Sequence, residues 1–335
     1  MDAAELTRDV WDLDPDAFPA DASLERQVTF LLRYAILAPS SHNSQPWRFA
    51  VDGGTVAVRI ADDRRLEVAD PDGRELHLSV GCAVENLCVA AEHFGFAPDV
   101  DDDPDGGAAA VVSLHPDAEA DSPRPPELFD ALTARYTSHR LFEDRPIPDT
   151  TLGRFRQCAV EDDVTLHLVS DAETKESVAE LQAAADEALM DDPDYRRELG
   201  YWVGTGALGA SWLAARLGQT VVTHFDLGAR EGRKNSKFVQ RAPLVAVLST
   251  PTDDPTTQVR AGQVFERLAL VATTADLAVH PLSQTLERPD ARADLADRVG
   301  IGDGVPQHLF RVGYADETPE HTPRLPLEAV LEDAP

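Results

Sequence analysis

Residues 38 to 49, Ala-Pro-Ser-Ser-His-Asn-Ser-Gln-Pro-Trp-Arg-Phe, gather hydroxyl, imidazole and amide groups between two prolines. Such groups can meet a polar heterocycle or a polyol from several directions, while the prolines restrict the backbone. The stretch suits a site for an organic cofactor. It also suits a surface turn that stops one helix at Pro39 and starts a strand near Trp47. A second cluster, Arg135-Tyr-Thr-Ser-His-Arg-Leu-Phe142, places two guanidinium groups, an imidazole and hydroxyls close together, the set that a phosphate and a polyol chain require. The competing reading is a solvated helix end. Arg324, in Pro-Arg-Leu-Pro-Leu, is a further phosphate candidate or simply a tail arginine.

Other chemistries find little support. The histidines form no HxH or HExxH pattern, so no metal site is expected. No G-x-S-x-G elbow marks a serine nucleophile, and no general acid is assigned. Cys82, Cys88 and Cys158 form no CxxC pair and read as small buried hydrophobes. Gly204-Thr-Gly206-Ala-Leu-Gly209 satisfies GxGxxG, with Asp226 at the distance of a ribose-binding acid, and offers a dinucleotide-binding alternative. No convincing strand precedes it and no βαβ rhythm surrounds it, which favours glycine-rich helix packing.

The elements that position these groups follow from periodicity. Leu24, Val28, Leu31, Leu32 and Ala35 recur at helical spacing, so a helix delivers the first polar loop. After Trp47 the chain alternates as a hairpin turning at Asp52-Gly53-Gly54. Glu75 to Gly95 suits a long buried helix ending at glycine, and Ala109 to Leu114 a strand. The proline-rich stretch 116–126 predicts a linker. Beyond it the pattern predicts helices near 127–135, after Asp149, over Ala172–Leu189 and over Val259–Ala278. Strands are expected at Val164–Val169, Pro243–Leu248 and Leu309–Tyr314. The mixture indicates an α+β fold. Gly81, Glu85, Leu87 and Ala91 recur with identical spacing as Gly262, Glu266, Leu268 and Ala272, which suggests a duplicated unit.

At this point the chain resembles the nitroreductase family, and more closely its Acg-type branch, in which two nitroreductase-like halves are fused. The loop pattern P-S-S-x-N-x-Q-P-W is complete from Pro39 to Trp47. An R-x-S-x-[RK]-like segment lies at Arg135 to Arg140. It fits as Arg135, Thr137 and His139 from the first arginine, or as Ser138 and Arg140 counting back from Phe142. Gly81–Gly95 and Gly262–Ala278 are similar to the family's central helix, and Gly313-Tyr314 through Arg324 and Val330 to its C-terminal signature. The likeness covers most of residues 24–332.

The resemblance implies a nitroreductase-like fold with halves at 1–120 and 121–335 forming an intramolecular pseudo-dimer. The extra stretch from Tyr195 to Gln240 is then a lid or an ordinary structural insertion. It implies FMN as cofactor, NAD(P)H as electron donor and a nitroaromatic or quinone-like acceptor. The implied cofactor residues are Pro39, Ser40, Ser41, Asn43 and Gln45; Arg135, Thr137, Ser138, His139 and Arg140; Pro281, Leu282, Ser283 and Gln284; and Arg324. Arg135 and Arg324 would take the phosphate, Ser40 with Ser138 or Thr137 the ribityl or phosphate, and Asn43 with Ser41 the isoalloxazine edge. Residues Pro281 to Gln284 would face the ring. The family's usual lysine is absent, with His139 or Arg140 in its place. An alternative is a protein that sequesters FMN beneath a lid with little turnover. The first half holds the Pro-Ser-Ser loop and the second the arginine segment, with only Val160-Glu-Asp-Asp-Val164 where a second loop should lie. One complete FMN site and one lost site are therefore expected per chain.

Composition bounds the partners. Among 335 residues, 60 acidic side chains face 30 basic ones, and only Lys175, Lys234 and Lys237 are lysine. A net charge of −30 repels nucleic acid and anionic membranes, leaving a small molecule as the expected partner, with the chain acting as a monomeric pseudo-dimer or its homodimer. The acidic N-terminus and the lack of any long apolar run predict a cytoplasmic protein. Charge spread along the whole chain predicts a salt-rich cytoplasm, as in salt-accumulating halophiles, because concentrated salt screens the self-repulsion. The unfolding midpoint is expected to rise as KCl increases from low to molar concentration; a midpoint that falls over that range contradicts the prediction.

Overall fold

The computed structural model describes residues 6–101, 107–116, 124–209, 212–224, 228–316 and 320–332. The linker expected at 116–126 falls mostly outside them, as does Asp226. Helix α1 (Leu24–Ala35) leads through the polar loop into the hairpin β1 (Trp47–Asp52) and β2 (Thr55–Ile60), turned at Gly53 and Gly54. Helix α2 (Arg74–His93) follows, stopped beside Gly95 at φ +84, and then β3 (Phe96–Asp101) and β4 (Ala110–Pro116). The second half runs α3 (Leu128–Ala134), α4 (Asp149–Cys158), β5 (Thr165–Val169), α5 (Ala172–Asp191), α6 (Pro193–Gly204), α7 (Trp212–His224) and α8 (Gly228–Arg241). It continues with β6 (Leu244–Thr250), α9 (Pro255–Thr274), β7 (Ala278–Pro281), α10 (Pro289–Val299), β8 (Val305–Gly313) and β9 (Leu331–Glu332). No helix among the described residues is long and apolar enough to cross a membrane.

Two sheets form, ordered β3-β4-β2-β1-β9 and β5-β6-β8-β7. All pairings are antiparallel except β1 with β9. The C-terminal strand thus joins the sheet of the first half, pairing Phe49 with Leu331, and Thr7 bridges Arg324 nearby. The C-terminal segment therefore crosses to the first half. Helix α9 begins four residues before the expected Val259, because Asp254 forms a capping box with Thr257 and Pro255 takes the first helical position. It stops before Asp276 at φ +56, and Ala278 opens β7 instead of ending the helix. Strand β3 was not expected; its Phe-Ala-Pro-Asp-Val-Asp sequence has weak alternation and holds a proline, as an edge strand allows.

Helices α2 and α9 pack face to face and are buried along most of their length, carrying Glu85, Asn86, Glu266 and Arg267 into the interior with their apolar residues. Their backbones touch. A Cβ at Gly81 would lie 2.0 Å from the Val259 carbonyl oxygen, and one at Gly262 would lie 2.0 Å from that of Leu78. The duplicated glycines thus mark a crossing where only glycine fits.

The duplicated glutamates lie one turn beyond. Fully buried Glu85 binds Arg267 at 2.6 Å and Arg124 at 2.8 Å. Arg267 also meets Glu161 at 2.9 Å and donates to the Cys158 carbonyl at 2.8 Å. Burial opposes ionisation of Glu85, but Arg124 and Arg267 outweigh it and lower its pKa to about 2. The segment from Val160 to Val164, following α4, therefore contributes Glu161 to an ion network in place of a polar loop.

Gly262→Ala is expected to destabilise the protein by about 3 kcal/mol, because backbone lies where the methyl must go and overpacking costs that order; thermal denaturation measures it. Glu85→Gln is expected to cost about 3 kcal/mol by removing the fully buried carboxylate that Arg124 and Arg267 share. Because the folded pKa of Glu85 is depressed, the stability it contributes is complete above about pH 4.5 and is lost as the pH falls toward 2. The wild type minus variant difference in unfolding free energy should shrink across that window.

Candidate cofactor site

A cavity of about 1390 Å³ opens where the loop after α1 faces the segment after α3. The loop is unusual in its backbone. His42, Asn43 and Gln45 have φ of 52, 52 and 53, left-handed values that cost non-glycine residues about 1–3 kcal/mol each unless their surroundings fix them. Several anchors do so. Ser40 Oγ accepts from the Gln45 N–H at 2.9 Å, and Ser41 Oγ donates to Glu75 at 2.7 Å. Asn43 Nδ2 donates to the carbonyls of Ala207 and Pro323, both at 2.8 Å. Arg64 donates to the Gln45 carbonyl at 3.0 Å, and the Leu325 N–H donates to Gln45 Oε1 at 2.8 Å. These partners come from α2, the turn after α6 and the C-terminal segment, so tertiary structure shapes the loop.

Across the cavity, Arg135 Nε lies 3.0 Å from Glu266, the counterpart of Glu85. Arg135 and Arg324 each donate to the Leu37 carbonyl at 3.1 Å. This mirrors the bond from Arg267 to Cys158, but the charge balance differs. Two buried guanidinium groups share one glutamate, and burial raises that glutamate to about 7 against the pull of Arg135. Burial and the adjacent Arg135 charge lower Arg324 to about 9, and its Nε has no hydrogen-bond partner. Around Arg135 and Arg324 the wall therefore carries more positive than negative charge.

Residues 135–142 run without helix, and Thr137 bridges Val279 of β7. Buried Arg311 of β8 holds this segment through the carbonyls of Arg140 at 2.7 Å and Ser138 at 3.3 Å, and donates from Nε to His280 Nδ1 at 3.0 Å. Its guanidinium lies over Phe142 and Phe238, 4.0 and 4.3 Å from the ring centres.

Of the residues singled out from sequence, Pro39, Ser40, Ser41, Asn43, Arg135, Thr137, His139, Arg140, Pro281, Ser283, Gln284 and Arg324 line the cavity. Gln45, Ser138 and Leu282 do not. Gln45 is fully buried and ties the loop to Leu325. Ser138 is buried, its Oγ accepting from the Arg140 N–H at 3.3 Å, and Leu282 packs in the core of the second half. Arg135, Thr137 and His139 all line the cavity, and of the other register Arg140 does while Ser138 does not.

Sequence reasoning missed Trp11, Glu75, Tyr195, His280, Glu287 and His308, which also form the wall. Trp11 stacks on His321 with ring centres 4.0 Å apart. Cys82 lines the cavity, and all three cysteines are buried free thiols, their pKa values pushed up by burial. In the stretch from Tyr195 to Gln240, Tyr195, Leu199, Leu208 and Gly209 reach the cavity, so its first helix and following turn act as a wall. The GxGxxG residues follow helix α6 and not a strand; Gly204 packs against Gln219 of α7, and Gly206 and Gly209 turn the chain at φ of 80 and 89. Helix packing, not dinucleotide binding, accounts for these glycines.

No protein-family model matches the chain. It is 32% identical over 334 residues to a Mycobacterium tuberculosis protein, Rv3131, assigned as an NAD(P)H nitroreductase, covering 94% of this chain and 92% of that one. It is 28% identical over 312 residues to acg of the same organism, likewise assigned, covering 90% and 93%. A Desulfitobacterium hafniense nitroreductase structure with bound FMN aligns at 17% identity and a TM-score of 0.39, covering 59% of this chain and 94% of that one. With a relative this similar along nearly its whole length, the chain, built around the paired helices α2 and α9, belongs to the nitroreductase family.

Proposed function

We propose that the protein is an FMN-dependent NAD(P)H oxidoreductase of nitroreductase type, with one FMN per chain and a nitroaromatic or quinone-like acceptor. The observation that carries this reading is the pair of buried arginines, Arg135 and Arg324, which line the cavity with the strained Pro39 loop and both donate to the Leu37 carbonyl, with the single carboxylate Glu266 paired to Arg135. When bound, FMN supplies hydride acceptance from NAD(P)H and delivery to the acceptor.

The residues present fit that group. Arg135 and Arg324 would hold the phosphate, and its charge would relieve the depressed pKa of Arg324. Thr137 and Ser40 line the cavity and would meet the ribityl chain. Ser41 and Asn43 would lie along the ring edge, Asn43 presenting a buried Oδ1 that has no other partner. Pro281, Ser283 and Gln284 would face the ring. The cavity exceeds the roughly 300–1,000 Å³ of ordinary ligand pockets, which leaves space for a second molecule beside the cofactor. In the pseudo-symmetric position Glu161, Arg267, Glu85 and Arg124 form the closed ion network described above, which supports a single site.

Protein purified in high salt is expected to be yellow, with one FMN per chain, and anaerobic NAD(P)H should bleach the flavin and support acceptor-dependent turnover. Arg324→Ala should weaken FMN binding at least tenfold. Flavin that stays oxidised with both nucleotides would leave a sequestering protein, and two flavins per chain would contradict the single-site reading.

A further inference from the structure

Part of the cavity wall is left unused by the cofactor contacts proposed above. It is built from α2, α6, α9 and β8 together with Glu287. His308 of β8 is 2% exposed, lines the cavity, and has no hydrogen-bond partner on either ring nitrogen. Phe265 meets its ring edge to face at 4.2 Å and Phe310 lies at 5.7 Å, so aromatic carbon encloses the imidazole except toward the cavity. A buried polar group left unpaired costs about 1–3 kcal/mol, which argues for a ligand atom in front of it.

The charges around it have one sign in excess. Glu75 is anchored by Arg74 at 2.9 Å and by Ser41 Oγ at 2.7 Å. Burial pushes its pKa up, but Arg74, His308 and Ser41 outweigh that and keep it below the ordinary value. Glu287 lines the same wall with Oε2 unpartnered, and the Tyr195 hydroxyl hydrogen-bonds its carboxyl group. Burial and the Glu75 charge raise Glu287 well above the carboxylate range. Asp70 and Asp186 add further acidic charge from behind, and Arg74 is the cation acting against them. His42 and His308 are held neutral by burial, both near 4.

We propose that this wall is a subsite for a substrate carrying a primary ammonium group, seated among Glu75, Glu287 and His308, with its apolar body against Leu78, Leu199 and Phe265. An ammonium brings three N–H donors and no acceptor, which matches a carboxylate, a second carboxyl oxygen and an open imidazole nitrogen. An anionic substrate meets Glu75 and is rejected. Because the site is buried, molar salt screens this selection only weakly. Only the word substrate rests on the oxidoreductase reading; binding needs no turnover.

The test is equilibrium binding of benzylamine, benzyl alcohol and benzoate to the holoprotein in high salt, followed by calorimetry. Benzylamine is expected to bind at least tenfold more tightly than benzyl alcohol, with benzoate weaker still. Glu287→Leu and His308→Phe, checked for native circular dichroism and flavin content, should each cut that advantage to threefold or less. If neither variant folds, the wild-type series decides alone. Equal affinities, a preference for benzoate, or no binding of any of the three overturns the proposal while leaving the redox reading intact. Failure of NAD(P)H to bleach the flavin overturns the redox reading and leaves the binding series to stand.

Discussion

At the crossing of α2 and α9 a carbonyl oxygen of each helix occupies the space that a side chain on the other would need, so Gly81 and Gly262 let the two backbones meet directly. That contact sets where everything else lies. It brings the loop after α1, from the first half, against Arg135 and Glu266 of the second, and it places Glu85 against Arg267 on the opposite side. The C-terminal segment reinforces the arrangement by carrying Arg324 to Leu37 and adding β9 to β1. A duplicated fold retains its two-fold relation through such contacts even when its two ends diverge chemically.

The divergence is one of charge balance. On one side Glu85, Glu92 and Glu161 surround Arg124 and Arg267, so every buried guanidinium has carboxylate partners. On the other, Glu266 faces both Arg135 and Arg324. Buried ions are costly unless compensated. The first arrangement is balanced by its own carboxylates, and the second has one glutamate beside two guanidinium groups. Similar helices thus support a closed structural network at one end and a receptive cavity at the other.

The loop beside that cavity illustrates preorganisation. Its left-handed residues store strain that local sequence does not relieve, and the compensating bonds come from Ala207, Pro323, Leu325 and Glu75. Polar groups are thereby fixed before any ligand arrives, which lowers the ordering cost of binding. The helical insertion takes part through the turn that supplies Ala207, so it shapes the site as well as walling it.

By itself the sequence determined α1, α2, β1 and β2, because their 3.6-residue and two-residue periods are local signals. It also identified the two polar clusters, since prolines and arginines at fixed offsets need no partner to be seen. Local pattern could not tell which members of these segments reach the cavity: it placed Gln45, Ser138 and Leu282 with their neighbours, although Gln45 binds the Leu325 N–H, the Ser138 hydroxyl binds the Arg140 N–H and Leu282 joins the core. Nor could it foresee β9, two residues long and paired with a strand nearly three hundred residues earlier. Glu75, Glu287 and His308 are unremarkable in the sequence and far apart in it. Only packing of α2, β8 and the segment before α10 joins them, because proximity and desolvation, which give such groups their chemistry, exist only once the chain has folded.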